Sequence, residues 1–237
     1  MKNILLLLAL FVAPRVLGDE LNVAIASNFS SVSSHVGELY SETTGHRAVF
    51  SYGSTGKLYA QIVNGAPFHV FLSADVARPE LLERNQIAIS GSRFTYAIGQ
   101  MVLWSPTIEF DSPDILSSDI KYLAIANEKL APYGLAAKQF LTRAGLWDSL
   151  QGKIVRGENV AQALLFVDSG AASIGLVSRA QVQFRAGNLY AVSSEEHAPI
   201  AQQAVLLIDT AAARAFLALL RSEAGKQVIQ KYGYLVP

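Results

Sequence analysis

Short apolar runs and amphipathic stretches take turns along this chain. Residues 21–26 (LNVAIA) have the length and apolar character of a buried strand, and Ser27-Asn28 stands after them where an N-cap precedes a helix. In that helix Phe29, Val32, Val36, Leu39 and Tyr40 share one face, and Thr44-Gly45 stops it. Residues 47–52 predict a second strand from their β-branched and aromatic content. A Gly53-Ser54-Thr55-Gly56 loop then opens a helix with Leu58, Ile62 and Val63 on one side, closed by Gly65-Ala66-Pro67. Residues 68–73 predict a third strand and 79–84 a short helix. This strand, loop and helix rhythm predicts parallel strands joined by right-handed crossovers.

Residues 94–106 (FTYAIGQMVLWSP) form one long apolar segment with a glycine in its middle, suited to bridging two lobes. The rhythm then restarts. A strand at 122–126, an Ala131-Pro132-Tyr133-Gly134 loop, a helix at 135–146 and a short strand at 153–155 come first. Glu158-Asn159 leads a helix at 161–167, and a buried strand at 172–177 ends at Ser178. Residues 203–208 form an apolar strand that crosses back, and helices at 211–220 and 223–230 follow. Two crossings between two βα lobes predict a hinged cleft, with residues 19–97 and 204–237 in lobe I and 98–203 in lobe II.

Ahead of this pattern, residues 1–18 (MKNILLLLALFVAPRVLG) have the layout of a cleavable secretory signal peptide. Their apolar run, 4–13, is shorter than the roughly 20 residues that cross a bilayer. The expected location is periplasmic, with no direct membrane insertion. The chain has no cysteine, so neither disulfide staples nor a cysteine-linked lipid anchor is expected. Nineteen basic and nineteen acidic residues balance to zero, which argues against nucleic acid or a membrane surface held through a basic face. A monomer is expected.

In open α/β sheets ligands bind beyond the carboxyl ends of the strands. Hydroxyls or exposed backbone N–H groups fall there at Ser27-Asn28, Ser54-Thr55, Tyr133-Gly134 and Asn159-Val160, with Ser178 after a fifth strand. Each alone reads as a helix cap; their recurrence in both lobes points to a shared anion. Sharper motifs fail. Ser54-Thr55-Gly56-Lys57 lacks the upstream glycine and the following hydroxyl of a P-loop, since Ser51 and Leu58 stand there, and Lys57 reads as a solvated helix residue. His35, His46, His69 and His197 show no metal-ligand spacing, and no GxSxG elbow occurs. Asp75, Glu80, Glu83 and Glu158 read as structural charges. Without a nucleophile, base and orienter, no enzyme, cofactor or metal cation is expected.

The combination IASNFSSV, GSTGKLYAQIVNGAPFHVFLSAD, GSRFTYAIGQMVLWS, AIANEKLAPYGLAAKQFL, GENVAQAL and KYGYLVP resembles the periplasmic molybdate-binding proteins, the solute-binding components of molybdate ABC importers. The resemblance covers essentially the whole mature chain. It implies an α/β type II periplasmic binding protein fold, two lobes with a hinged ligand cleft, closing over molybdate or tungstate, and a membrane permease as partner. Carried over by position, the ligand contacts it implies are Ser27, Asn28, Thr55, Tyr133 and the backbone N–H of Val160. Thr55 stands where members often have serine. Ser178 stands where some members present a tyrosine, and is a secondary candidate behind Tyr133. A protein of the same fold for sulfate, thiosulfate or an organic anion stays open. An arginine in the cleft would favour a carboxylate, with Arg47, Arg93 and Arg156 nearest to the loops.

Overall fold

The computed structural model describes residues 20–237, and the signal peptide expected at residues 1–18 lies outside the described residues. The chain begins with β1 (Glu20–Ala26), a 3-10 turn (Ser27–Phe29) running into α1 (Ser30–Thr44), β2 (Arg47–Gly53), α2 (Thr55–Val63), β3 (Val70–Ser73), α3 (Ala77–Arg84) and β4 (Phe94–Gly99). After one residue, Gln100, come β5 (Met101–Ser105), a 3-10 turn (Pro113–Ser117), β6 (Leu123–Ala126), α4 (Pro132–Arg143), β7 (Ile154–Gly157), α5 (Val160–Asp168), β8 (Ile174–Ser178), α6 (Arg179–Val182) and β9 (Asn188–Ala191). β10 (Ile200–Leu206), α7 (Ala211–Arg221) and α8 (Glu223–Lys231) return to the first half.

The strands make two five-stranded sheets, ordered β2-β1-β3-β10-β4 and β7-β6-β8-β5-β9. The predicted long segment at 94–106 is therefore two strands, one in each sheet, divided at Gln100. The sheets are mixed, not parallel throughout. β1 runs parallel to β2 and β3, and β6 parallel to β7 and β8, whereas β10 and β5 run antiparallel to both their neighbours. The reversed strands are the two that enter a lobe from the other one. All other strands direct their carboxyl ends at the interlobe face, so a strand that starts there must run away from it. β10 starts at Ile200, three residues before the predicted 203, and takes Gln202 and Gln203 into the sheet. Gly99 and Ile200 are direct cross-strand partners, and the register slips at Tyr96, where Gln202 faces Ala97 but Gln203 faces Thr95.

Strand alternation distributes the core. Val70 and Leu72 of β3 face one layer with Phe29, Val36, Phe216 and Ile229, while Phe71 between them faces the other with Leu58, Ile62, Leu82 and Val205. The second lobe has its own core, including Leu123, Ile125, Phe140, Leu164, Ile174 and Leu176. Both faces of the first sheet are thus buried, as parallel-rich sheets require. Among the described residues no helix is long and apolar enough to cross a membrane.

Candidate functional site

Four helices aim their N-termini at one point between the lobes. Ala26, Ser27 and Asn28 begin the first helix, Ser54 and Thr55 begin α2, Pro132 and Tyr133 begin α4, and Val160 begins α5; all line one cavity. Its volume is about 10 Å³, close to the least that admits a single water-sized group, so the lobes stand nearly in contact around it. Each helix N-terminus carries about half a positive charge from its aligned peptides. No charged side chain lines the cavity; Arg78, Glu128 and Lys129 line a separate, larger groove beside it. Arg93 pairs with Glu83 (3.0 Å), Arg156 pairs with Glu128 (3.2 Å), and Arg47 starts β2 at the far end of its strand, so none of the three arginines reaches the cavity.

Tyr133 sits in the first turn of α4, not in a loop ahead of it. Pro132 explains the earlier start, because its fixed φ and missing N–H suit the first helical position. Gly134 allows the helix to press onto the end of β6: a Cβ there would lie 2.4 Å from the Ala126 carbonyl oxygen.

The free N–H groups of α2 and α5 can be counted. In α2, Lys57 N–H donates to Ser54 Oγ (3.4 Å) and Leu58 N–H to the Ser54 carbonyl (3.0 Å). Gly56 N–H crosses to the Leu130 carbonyl of the other lobe at 2.9 Å. Thr55 N–H remains. In α5, Gln162 N–H donates to Asn159 Oδ1 (3.1 Å), Ala163 N–H to the Asn159 carbonyl (3.1 Å), and Ala161 N–H reaches Ser27 Oγ across the cleft at 3.5 Å. Val160 N–H remains. An orphan N–H at a helix start requires an acceptor, and both orphans belong to residues that line the cavity.

The hydroxyls are oriented by what they accept. Thr55 Oγ1 accepts from Ala74 N–H (3.2 Å), Ser27 Oγ from Ala161 N–H (3.5 Å), and Tyr133 Oη from Ser178 Oγ (3.1 Å). With a lone pair engaged behind them, the Ser27 and Thr55 hydroxyls keep their protons for another acceptor, while the Tyr133 hydroxyl also bonds to that of Tyr234. Ser178 is fully buried behind Tyr133 and does not line the cavity. Asn28 also differs from expectation: its side-chain amide donates inward, to Gln202 Oε1 (2.8 Å) and Tyr234 Oη (2.9 Å), leaving its main-chain N–H at the helix start. Ser27, Asn28, Thr55, Tyr133 and Val160 are thus brought together, and Ser178 stands one bond further out.

Lys57 and Glu158 are not independent solvated charges. They meet across the mouth of the cleft at 2.8 Å, each about half exposed. Sequence reading also passed over Gln181, whose Nε2 donates to the Ser27 carbonyl (3.3 Å) from the second lobe. Asp75 pairs with Arg78 on α3.

Behind the cavity lies a buried tyrosine cluster. Burial raises the hydroxyls of Tyr96 and Tyr133 well above their ordinary range, and pushes Tyr234 up to about 12. In the unfolded chain they ionise near pH 10. Below that pH the folded and unfolded chains hold the same tyrosine protons. Above it only the unfolded chain sheds them, so stability is full below about pH 10 and falls as pH rises toward 12. An ultraviolet titration of the 9 tyrosines should show these three ionising only as circular dichroism reports unfolding; full ionisation of the native fold would contradict it.

A neutral, donor-lined cavity at the meeting of four helix starts is a place for an anion, and comparison with known proteins agrees with that architecture. A family model described as bacterial extracellular solute-binding protein matches residues 21–235. The chain belongs to that family. This solute-binding protein is 40% identical over 222 residues to the molybdate-binding protein ModA of Rhodobacter capsulatus, covering 91% of this chain and 88% of the relative. It is 41% identical over 225 residues to the molybdate-binding protein ModA of Azotobacter vinelandii, covering 91% and 89%. The solved structure of the Azotobacter vinelandii periplasmic molybdate-binding protein superposes with a TM-score of 0.88 at 40% identity, over 92% of this chain and 99% of that one. The two-lobed solute-binding fold expected from the sequence is the fold observed, and the protein is a binding protein, not an enzyme.

Proposed function

We propose that this solute-binding protein captures molybdate, and tungstate with it, between its lobes and delivers it to the permease of an ABC importer. The observation that carries the reading is the uncharged, donor-lined cavity where four helix N-termini converge. The relatives at 40% and 41% identity supply the identity of the anion. The proposed contacts are the hydroxyls of Ser27, Thr55 and Tyr133 and the main-chain N–H groups of Asn28, Thr55 and Val160. A hydrogen bond to a charged partner is worth about 1.5–3 kcal/mol, so several converging donors offset the dehydration of a dianion without a lysine or arginine. A lining rich in donors favours a fully deprotonated oxyanion, whose oxygens can only accept. Sulfate has the same charge and shape as molybdate in a smaller tetrahedron, and cavity fit separates the two.

Export through residues 1–18 into the periplasm, without a lipid anchor, and action as a monomer belong to the same reading. Titration calorimetry on the mature protein tests it: tight binding of molybdate and tungstate is expected, and sulfate or thiosulfate binding with no molybdate heat would overturn it.

The Lys57–Glu158 pair joins the two lobes directly at 2.8 Å. Exposed ion pairs contribute about 0.2–1 kcal/mol and are screened by salt. Lys57→Gln is therefore expected to speed molybdate dissociation by about two- to threefold at low ionic strength and hardly at all in high salt, read by stopped-flow release; an effect unmoved by salt would exclude the pair as a latch.

A further inference from the structure

The segment after α8 returns across the first sheet. Leu235 bridges Ile98 with two main-chain bonds, Ile98 N–H to Leu235 O at 2.7 Å and Leu235 N–H to Ile98 O at 3.1 Å, one residue before the crossing glycine Gly99. This bridge seats the Tyr234 ring in the core, 3% exposed, against Phe29 at 5.5 Å. The Tyr234 hydroxyl then holds Asn28 at two points: it accepts from Asn28 Nδ2 (2.9 Å) and donates to the Asn28 carbonyl (2.9 Å). The amide's other proton goes to Gln202 Oε1 (2.8 Å), which accepts in addition from Tyr96 Oη (3.0 Å).

Asn28 is consequently fixed in side chain and backbone together, by groups that do not line the cavity. Both protons of its side-chain amide are committed inside the protein, so the donor it can offer an anion is its main-chain N–H, and the direction of that N–H depends on the clamp. The same cluster reaches the second lobe. Gln202 interacts with the hydroxyls of Tyr133 and Tyr234, and a Cβ on Gly99 would lie 2.7 Å from its Nε2 and 2.3 Å from Tyr133 Oη. This side chain sits where the crossing, the cavity tyrosine and the C-terminal strap meet.

We propose that Tyr234 is a positioning residue for anion capture: through its two bonds to Asn28 it aims the first helix start into the cavity, without touching the ligand. The proposal rests on the anion-binding reading above. Its test is Tyr234→Phe, which keeps the ring, the Phe29 contact and the Leu235–Ile98 bridge and removes only the hydroxyl. Calorimetry with molybdate is run first on the wild type and then on the variant, and on both in an Asn28→Ala background. We expect Y234F to weaken molybdate binding about tenfold in the wild-type background and about threefold beside N28A, where only the bond to the main-chain carbonyl of residue 28 is left to remove.

Wild-type affinity in Y234F overturns the proposal alone, and so does an equal tenfold loss in both backgrounds, which a general loosening of the fold or action through the Tyr133 hydroxyl that Tyr234 also bonds would produce. A wild type that binds sulfate in place of molybdate moves the same comparison to sulfate. A wild type that binds neither of these nor tungstate overturns the functional reading and this proposal with it. Should Y234F fail to fold, Tyr96→Phe tests the clamp one bond further away, through Gln202: about threefold weaker binding is expected, and unchanged affinity overturns the proposal.

Discussion

Adding one methyl group at Gly99 is expected to weaken molybdate binding by about 100-fold, roughly 3 kcal/mol. The Cβ of Gly99→Ala would fall 2.3 Å from Tyr133 Oη and 2.7 Å from Gln202 Nε2, distances that real side chains do not tolerate. The strand cannot easily give way, because Gly99 is paired with Ile200 at the crossing and its neighbour Ile98 is held by Leu235. Tyr133 must therefore move, at the usual overpacking cost of about 1–3 kcal/mol together with its bond to the anion. Calorimetry gives the affinity, and an unchanged circular dichroism spectrum separates lost binding from lost fold. Near wild-type affinity in G99A would show that Tyr133 does not contribute its hydroxyl from this position.

Thr55→Ala carries the second large effect, a loss of about 1–3 kcal/mol in molybdate binding, or roughly 5- to 150-fold. The hydroxyl is 1% exposed and accepts from Ala74 N–H at 3.2 Å, so the alanine variant both removes a donor from the cavity and strands a buried N–H. Thr55→Ser keeps the hydroxyl and should recover most of the affinity. Tyr133→Phe belongs to the same class, with Ser178 Oγ (3.1 Å) losing its acceptor. Unchanged affinity in both Thr55→Ala and Tyr133→Phe would refute the proposed contacts.

The βα turns were legible because each couples a short apolar run to a capping residue. Ser54 and Asn159 do cap α2 and α5 as their positions suggest. What local pattern could not show is partnership at long range. Lys57 on α2 looks solvated until α5 brings Glu158 within 2.8 Å. Gln202 and Gln203 interrupt an apolar run, so the strand was expected to begin at 203, after Gln202; they lie inside β10 because buried partners satisfy Gln202 Oε1 and Gln203 bonds to Arg93 and Thr95. Two adjacent glutamines at the head of an apolar strand were the available signal for the polar cluster. β9 was missed because Asn188–Ala191 is short, at the sheet edge and only partly buried. Tyr234 was visible only as part of KYGYLVP, since nothing in that string says that it folds back onto Asn28.

The order in which the chain leaves and re-enters the first sheet also sets an order of assembly during synthesis. All strands of the second sheet lie within one uninterrupted stretch, 101–191, whereas β10, at 200–206, is wedged between β3 and β4 of the first. A nascent chain emerging N-terminus first can complete the second sheet while the first still lacks an inner strand. β4 has no neighbour in its sheet until β10 arrives, and Asn28 waits longer still, for Tyr234. The half of the protein that begins the sequence is thus the half whose last strand and strap are encoded near its end.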